Sequence, residues 1–337
     1  MKAALEDLKS QGAKKIILDL RGNPGGLLRE AINVVNLFVP KGEVITTTKS
    51  VVKKYNKTYK TVTEPVDTEI PLVVLVNGRS ASASEIVSGG LQDLDRAVII
   101  GARSFGKGLV QRPKKLTYGT QLKVTISRYY TPSGRCIQAL DYWNRDENGD
   151  PVRVDPKEFN KFKTKGGRTV YDGGGILPDI ELETSKFSPI TTALLKDQAI
   201  FDYATQYYYS HELKDWNNFL FAETDFEDFI SFLKENGFEY ETDTEKGFED
   251  ALRRADEDNL EEDIRNDYNK LMEAIDASKV KQLYSKKAEI MSLLSDEILK
   301  RYFYRDGLYE YQVINNPEIL EAIGVLNDEK KYSRILN

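Results

Sequence analysis

The sequence predicts an α/β domain with a largely parallel sheet, followed by an α-helical domain. Three continuous apolar segments, "KKIILDL", "PLVVLV" and "RAVIIG", predict buried strands, and segments with helical spacing lie between them. Strands that are apolar on both faces and alternate with helices are typical of a parallel sheet covered by helices. Strand signals fade near residue 185, and helical periodicity continues beyond it. We therefore predict two domains, residues 1–184 and residues 185–337.

Each element of the first domain follows from a local pattern. Apolar residues recur at i, i+3 and i+4 in "AALEDLKS" and "LLREAINVVNLFV", which predicts helices, and "EIVSGGLQDL" predicts another. The segments "EVITTT" and "TQLKVTISRYYT" predict strands, and "SVVKKYNKTYKTVT" is compatible with one arm of a hairpin. Residues 141–172 are polar and contain Gly, Pro and Asp, so we expect an insertion there before "DGGGILPDIELE" closes the domain.

Composition excludes several classes of function. The chain has 337 residues, a net charge of -6 and one cysteine, Cys136. The acidic balance argues against nucleic acid as the main partner, since phosphate binding requires clustered Lys and Arg. One cysteine excludes an internal disulfide. No apolar stretch reaches the roughly 20 residues that span a bilayer, and the N-terminus lacks the apolar run of a signal peptide.

The second domain carries no pattern typical of a metal or ligand site. Its single histidine, His211, follows a run of tyrosines, and we expect it to be packed at the surface. The aromatic density of "FDYATQYYYS" is compatible with a core and with an oligomer contact, and the sequence does not separate these alternatives.

A glycine-rich segment, "GARSFGKG", first suggests a phosphate-binding loop. However, Gly108 stands where a Ser or Thr should bind Mg²⁺, and the loop should open a helix. The sequence continues with "GLVQRP", which does not predict a helix. Nucleotide binding is therefore disfavoured, and Lys107, between two glycines, needs another explanation.

Lys107 could act as a base for one of the serines in the run "SASASE". A serine hydroxyl needs a neighbouring base, and a lysine serves as one if burial lowers its pKa from about 10.4 toward roughly 7–8. The serines lie between a predicted strand and a predicted helix, where α/β sites usually form and where free amides face an oxyanion. We expect Ser80 to cap the helix and Ser84 to lie in its first turn, which leaves Ser82 at the exposed corner. Structural roles for all three serines remain the alternative.

The chain resembles the C-terminal processing peptidases, also called tail-specific proteases. The resemblance rests on "LDLRGNPGGLLREAINVVNLF", "SASASEIVSGGLQDLDRAVIIGARSFGKGLVQ", "YYTPSGRCIQ" and "GGGILPDI", and it covers residues 14–183. It implies a crotonase-like α/β core, a Ser-Lys catalytic dyad, and no metal or organic cofactor. Polypeptides with unstructured or C-terminal segments are the implied substrates, and the periplasm or cell envelope is the implied location.

The resemblance also implies residue roles. Ser82 matches the family's nucleophile, Lys107 its general base, and Gln111 the residue that accepts a hydrogen bond from that lysine. By the same resemblance, the oxyanion hole would combine the amide of Ala83 with that of Gly25 or Gly26. Asp93 matches an acidic position of the family, although a structural role is the more economical interpretation.

Two departures favour a competing hypothesis. Family members usually carry a PDZ domain and further chain before "LDLRGNPGG", and neither is in this sequence, so we expect weak or no activity from this chain alone. A non-catalytic scaffold that holds peptides is therefore the alternative to a serine endopeptidase. An enzyme acting on acyl-CoA is a more distant alternative, because nothing in the sequence suggests adenine binding.

Overall fold

The computed structural model describes residues 1–182 and 187–337, and of residues 261–263 it describes the backbone only. The predicted boundary near residue 185 lies outside the described residues. The chain divides into two compact units, one of residues 1–184 with 316–337 and the other of residues 185–315. The predicted division placed residues 316–337 in the helical domain, so the structure differs there.

The first unit contains the strands and five of the described helices. Its strands are β1 (Ile16–Asp19), β2 (Val44–Lys49), β3 (Lys57–Lys60), β4 (Leu72–Val76), β5 (Val98–Gly101), β6 (Leu109–Lys115), β7 (Gln121–Tyr130), β8 (Leu140–Arg145), β9 (Pro151–Arg153), β10 (Lys161–Lys163), β11 (Thr169–Tyr171) and β12 (Ile180–Glu181). Its helices are α1 (Lys2–Ser10), α2 (Leu28–Asn36), α3 (Ala83–Asp93), α10 (Pro317–Asn327) and α11 (Glu329–Leu336). The predicted strands and helices of this half are present.

A parallel sheet forms the centre of the first unit. Its order is β1-β4-β5-β12, and each neighbouring pair is parallel. The side chains of β4 alternate between two cores, with Leu72, Val74 and Val76 on one side and Val73 and Leu75 on the other. This double burial explains the continuous apolar run and confirms the predicted α/β class with a parallel sheet.

Helices α2 and α3 contribute to the core on one face of this sheet, and α10 covers the other face. Ala322, Val325 and Leu326 of α10 are buried against strands β4 and β5. The sheet requires a second cover because both of its faces are apolar. Sequence order alone did not reveal that this helix packs with the first unit, whereas the predicted division placed residues 316–337 in the helical domain.

The first unit also contains a second sheet, which is antiparallel and has four strands. The sequence patterns predict no antiparallel sheet larger than a hairpin. The order of the four strands is β3-β2-β7-β6, and the predicted hairpin arm forms β3 against β2. Strand β6 lies at the edge of this sheet and contains Pro113. Proline has no amide hydrogen to donate, and it is tolerated in an edge strand because one side of that strand forms no hydrogen bonds with a neighbouring strand. The insertion at 141–172 supplies two short antiparallel pairs, β8–β9 and β10–β11.

The second unit is helical in its described residues, as predicted. Its helices are α4 (Pro189–Lys196), α5 (Ala199–Ser210), α6 (Glu223–Glu235), α7 (Asp243–Glu257), α8 (Glu261–Ser285) and α9 (Lys287–Asn315). Aromatic rings fill its core, and Tyr203 meets Phe229 edge to face at 5.1 Å between centroids. His211 stacks on Tyr207 at 3.9 Å and is exposed, in agreement with the expected surface packing. Within the described chain, no helix combines the length and apolarity that a membrane span requires.

Candidate active site

A sharp corner between β4 and α3 holds the serine run. Ser82 is the N-cap of α3 and adopts φ 56° and ψ −112°, a conformation that non-glycine residues rarely adopt. Such strain costs on the order of 1–3 kcal/mol and persists only where surrounding contacts fix it. Here the carbonyl of Asn23 accepts hydrogen bonds from the amide of Ala81 at 3.0 Å and the hydroxyl of Ser84 at 3.1 Å. The strained corner is thereby held against the "GNPGG" loop.

The three serines occupy different environments. Ser80 does not cap the helix as predicted, because its hydroxyl is buried and donates to the carbonyl of Leu20 at 2.7 Å. Ser84 lies in the first turn, as expected. Ser82 is the half-buried residue at the corner, so its hydroxyl is the accessible one of the three.

A buried carboxylate ties the two predicted catalytic residues together through their backbones. One oxygen of Glu85, Oε2, accepts the amide of Ser82 at 2.8 Å and the amide of Lys107 at 2.9 Å. The other oxygen accepts the Ser104 hydroxyl at 2.5 Å and the Gly106 amide at 2.7 Å. Because one oxygen serves both residues, the amide nitrogens of Ser82 and Lys107 lie within about 6 Å of each other.

Burial raises the pKa of Glu85, and its hydrogen bonds with Ser104, Lys107, Gly106 and Ser82 act in the opposite direction. All four partners donate, so the carboxylate form is the one that satisfies every one of them. The charge of Glu85 is thus balanced by oriented donors, with no cation bonded to it.

Tyr129 makes a second bridge between the same residues. Its hydroxyl donates to the carbonyl of Lys107 at 2.7 Å and lies 3.3 Å from the carbonyl of Ser82. Burial, with a contribution from the nearby charge of Glu85, raises the pKa of Tyr129 well above its usual value. The phenol therefore stays protonated and keeps its donor role at neutral pH.

The glycines beside Lys107 allow the close backbone approach that we expected. A Cβ on Gly106 would lie 2.3 Å from Cβ of Ala139, and one on Gly108 would lie 2.8 Å from the amide nitrogen of Gln138. The side chain of Lys107 is exposed, however, and Nζ has no hydrogen bond or ion pair with any described residue. The burial that the sequence analysis expected of a lysine base is therefore not seen. The contacts in this loop fix its backbone, and no described residue covers the ammonium.

Gln111 does not meet Lys107 in this structure. Its amide nitrogen lies 3.4 Å from the hydroxyl of Thr125 on β7 and is exposed. The register of β6 against β7 shifts between Val110 and Gln111, so the chain that leads to Gln111 is not a regular extended strand. The role of Gln111 stays a prediction.

Two residues of the predicted oxyanion hole, Gly25 and Ala83, lie in contact at the serine corner. Gly25 has φ +95°, and a Cβ there would lie 2.6 Å from the amide nitrogen of Ala83. Ala83 is the first residue of α3, so its amide has no intrahelical acceptor. The Gly25 amide already donates to Oδ1 of Asn23 at 2.9 Å, which leaves the exposed amide of Gly26 as the better candidate of the two glycines.

The corner, the glycine-rich loop and the lysine loop all lie within the segment that a known family matches. The model of peptidase family S41 matches residues 1–142. Residues 1–142 are thus similar to this family. A second model, described as the C-terminal helical domain of a probable PDZ-protease, matches residues 190–326. Both matches confirm the resemblance and the helical second half.

Named relatives cover the first half of the chain. The carboxy-terminal-processing protease of Bartonella bacilliformis is 45% identical over 147 residues, 42% of this chain and 33% of that protein. The carboxyl-terminal-processing protease of a Picosynechococcus species is 43% identical over 166 residues, 49% of this chain and 38% of that protein. The solved photosystem II D1 C-terminal processing protease is 30% identical over 54% of this chain and 38% of its own, with a TM-score of 0.41. This chain thus spans about a third of the curated relatives' length.

Asp93 has a structural role in the first unit. Its carboxylate forms an ion pair with Arg135 at 2.8 Å, and both side chains are fully buried. Its other oxygen accepts the amide of Ser133 at 3.0 Å. Asp93 therefore fixes the loop after β7, in agreement with the structural interpretation.

Sequence reasoning missed Glu85 and Tyr129. A signal for Glu85 was present, because Ser82 and Glu85 have the Ser-x-x-Glu spacing of a capping box at a helix N-terminus. The spacing predicts the bond from Glu85 to the Ser82 amide, but the bonds to Ser104 and the lysine loop depend on tertiary folding. No local signal distinguishes Tyr129 from Tyr130.

We predict that Glu85→Gln destabilises the first unit and lowers the turnover of a peptide substrate. In either orientation the amide group of Gln faces donors, so two buried donors lose their acceptor, at a cost of about 1–3 kcal/mol each. Thermal unfolding and peptide hydrolysis measure the two effects. The exposed Glu64→Gln is the matched control, and a Glu85→Gln protein as stable as this control would contradict the bridging role.

Proposed function

We propose that the protein is a serine endopeptidase that cuts polypeptides near their C-termini by a Ser-Lys mechanism. The observation that carries the proposal is the buried Glu85 carboxylate, which binds the amides of both Ser82 and Lys107. Two loops that are far apart in sequence are thereby held at one strained corner, next to amides without internal acceptors.

Each residue has a definite part in the proposed reaction. The hydroxyl of Ser82 attacks the scissile carbonyl while the neutral amine of Lys107 takes its proton. The amides of Ala83 and Gly26 stabilise the negative charge that develops on the carbonyl oxygen. Lys107 then gives the proton to the leaving amine. Water hydrolyses the acyl-enzyme, and Gln111 orients the lysine once the two side chains meet.

The exposed side chain of Lys107 favours a second candidate function. A scaffold that holds peptide tails without cutting them would need the loops at the serine corner but not a neutral lysine. Peptidase activity explains more of the site, because a scaffold has no need of a strained serine beside free amides. By resemblance to the bacterial relatives, we propose the periplasm or cell envelope as the place of action.

Incubation with an unstructured protein such as casein distinguishes the two functions. Mass spectrometry should show new fragments that accumulate with time and shortened substrate that has lost its C-terminal segment. Because we expect weak activity from this chain alone, a version extended upstream of residue 1 is tested beside it, and stable binding of intact substrate by both, without fragments from either, would refute the peptidase and support the scaffold.

A further inference from the structure

A groove of about 1150 Å³ lies along one face of the antiparallel sheet in the first unit. Its floor includes Val124, Ile126 and Arg128, alternate residues of β7 that share one face of the strand. Lys49, at the end of β2, and the segment that follows it form one wall. The start of the insertion, at Tyr142 and Trp143, belongs to the other.

The charges that line this groove all have one sign. Lys49, Lys54, Lys114 and Arg128 are lining residues, and the lining contains no Asp or Glu among the residues that the structure describes. None of the four cations forms an ion pair with a described residue. Asp141, between the lining residues Leu140 and Tyr142, accepts the Trp143 amide at 2.9 Å and Asn144, and its negative charge also interacts with Arg128 without forming an ion pair. The net charge of the whole chain is -6, so this local excess of positive charge runs against the overall balance.

Apolar and aromatic groups accompany the cations. Val51 is fully exposed, and the side chain of Trp143 is 89% exposed. The Nζ atom of Lys49 lies 4.5 Å from the centroid of the Tyr130 ring, which holds this cation over the groove without neutralising it. An occupant that matches this lining combines carboxylates with apolar or aromatic side chains.

The groove begins beside the lysine loop. Leu109 lines it and lies two residues after Lys107, a separation of no more than about 7 Å in an extended chain. Gln138 also lines it, and its side-chain oxygen accepts the amide of Gly108 at 2.7 Å. An extended polypeptide in the groove would therefore run directly to the predicted catalytic corner.

We propose that this groove binds an acidic, aromatic-containing segment of the polypeptide substrate and so gives the enzyme a preference for acidic sequences near the cleaved bond. The inference rests on the proposed function and adds a substrate class to it. Continuity with the lysine loop favours a polypeptide over a membrane or nucleic acid, because only the polypeptide would also reach Ser82. Surface ion pairs of this kind contribute modestly one by one and together set specificity.

Paired peptides test the preference. One unstructured, fluorescein-labelled peptide carries several Glu residues among Phe and Val, and its partner has Gln at the same positions. Anisotropy titrations use the Ser82→Ala chain, so that no cleavage occurs during the measurement. We expect the Glu peptide to bind about tenfold more tightly at low salt, as three or four surface ion pairs would produce. Most of this preference should disappear near 0.5 M salt, where charges are screened over about 4 Å.

Variants locate the preference in the groove. In Lys114→Gln/Arg128→Gln the ratio of the two affinities should fall toward one, since neither side chain has a hydrogen-bond partner whose loss would disturb the fold. The matched control, Lys41→Gln/Lys281→Gln, removes the same charge from exposed positions outside the groove and should keep the ratio.

Three outcomes would overturn the inference. These are equal affinity for both peptides, an unchanged ratio in the groove variant, and tighter binding of oligothymidylate or of phosphatidylglycerol vesicles than of the Glu peptide. Hydrolysis by the unmodified chain is scored separately. Selective binding without hydrolysis would refute the peptidase and leave the groove, whereas equal binding and equal hydrolysis of both peptides would refute the groove alone.

Discussion

Ser82→Ala should abolish hydrolysis of an unstructured protein substrate, with turnover reduced by at least about a thousandfold. Only Ser82 among the three neighbouring serines combines an accessible hydroxyl with the strained N-cap position. Removal of a nucleophile that acts with a base and an oxyanion hole typically costs three or more orders of magnitude. Fragment release from casein, followed by mass spectrometry, measures the loss.

Ser84→Ala is the control, because its hydroxyl bonds to the Asn23 carbonyl and has no part in the reaction. It should keep most of the turnover. Ser80→Ala should also keep most of it but unfold at a lower temperature, since it removes a buried hydroxyl that donates to the carbonyl of Leu20 and accepts the amide of Asn77. Turnover by Ser82→Ala that matches the parent chain, with contaminating protease excluded, would refute the assignment.

Lys107→Arg should be as damaging as Lys107→Ala. A guanidinium stays protonated and accepts no proton from Ser82, although it preserves length and charge. Initial rates of substrate hydrolysis measure the effect. Reagents that modify histidine should leave the rate of substrate hydrolysis by the parent chain unchanged, since His211 has no part in the proposed mechanism.

The exposed Lys41→Arg is the matched control and should leave the rates unchanged. Gln111→Ala should cost less than either Lys107 variant, because it removes only an orienting contact. Circular dichroism should show a native fold in both Lys107 variants, as the side chain makes no contact on which folding depends. Near-normal turnover by Lys107→Arg would require a different base.

Much of the first unit was predictable because local patterns determine it. Runs such as "PLVVLV" are apolar on both faces, and a parallel sheet is the arrangement that buries both. The return of α10 to that sheet was not predictable, since a helix pattern reports which side chains are apolar and not which surface they cover. Strand β6 was missed for a related reason, because Pro113 is tolerated only at an edge, and edge position depends on the whole sheet.

The candidate site was predicted in its residues but not in its support. Ser82 and Lys107 stand in recognisable segments, and the structure joins their backbones. The joining group, Glu85, accepts donors from loops about 20 residues away, and sequence spacing carries no information on such contacts. The predicted contact between Lys107 and Gln111 depended on regular extended pairing, which the shifted register of β6 and β7 does not provide.

Covalent labelling shows most directly whether Ser82 is a reactive nucleophile that Lys107 activates. The protein is treated with a fluorophosphonate, digested, and analysed by mass spectrometry for the modified peptide, in parallel with Ser82→Ala and Lys107→Arg. We expect a single adduct on Ser82 in the parent chain, no adduct in Ser82→Ala, and much slower labelling of Lys107→Arg. An adduct on another residue, or hydrolytic activity without any adduct on Ser82, would contradict this expectation.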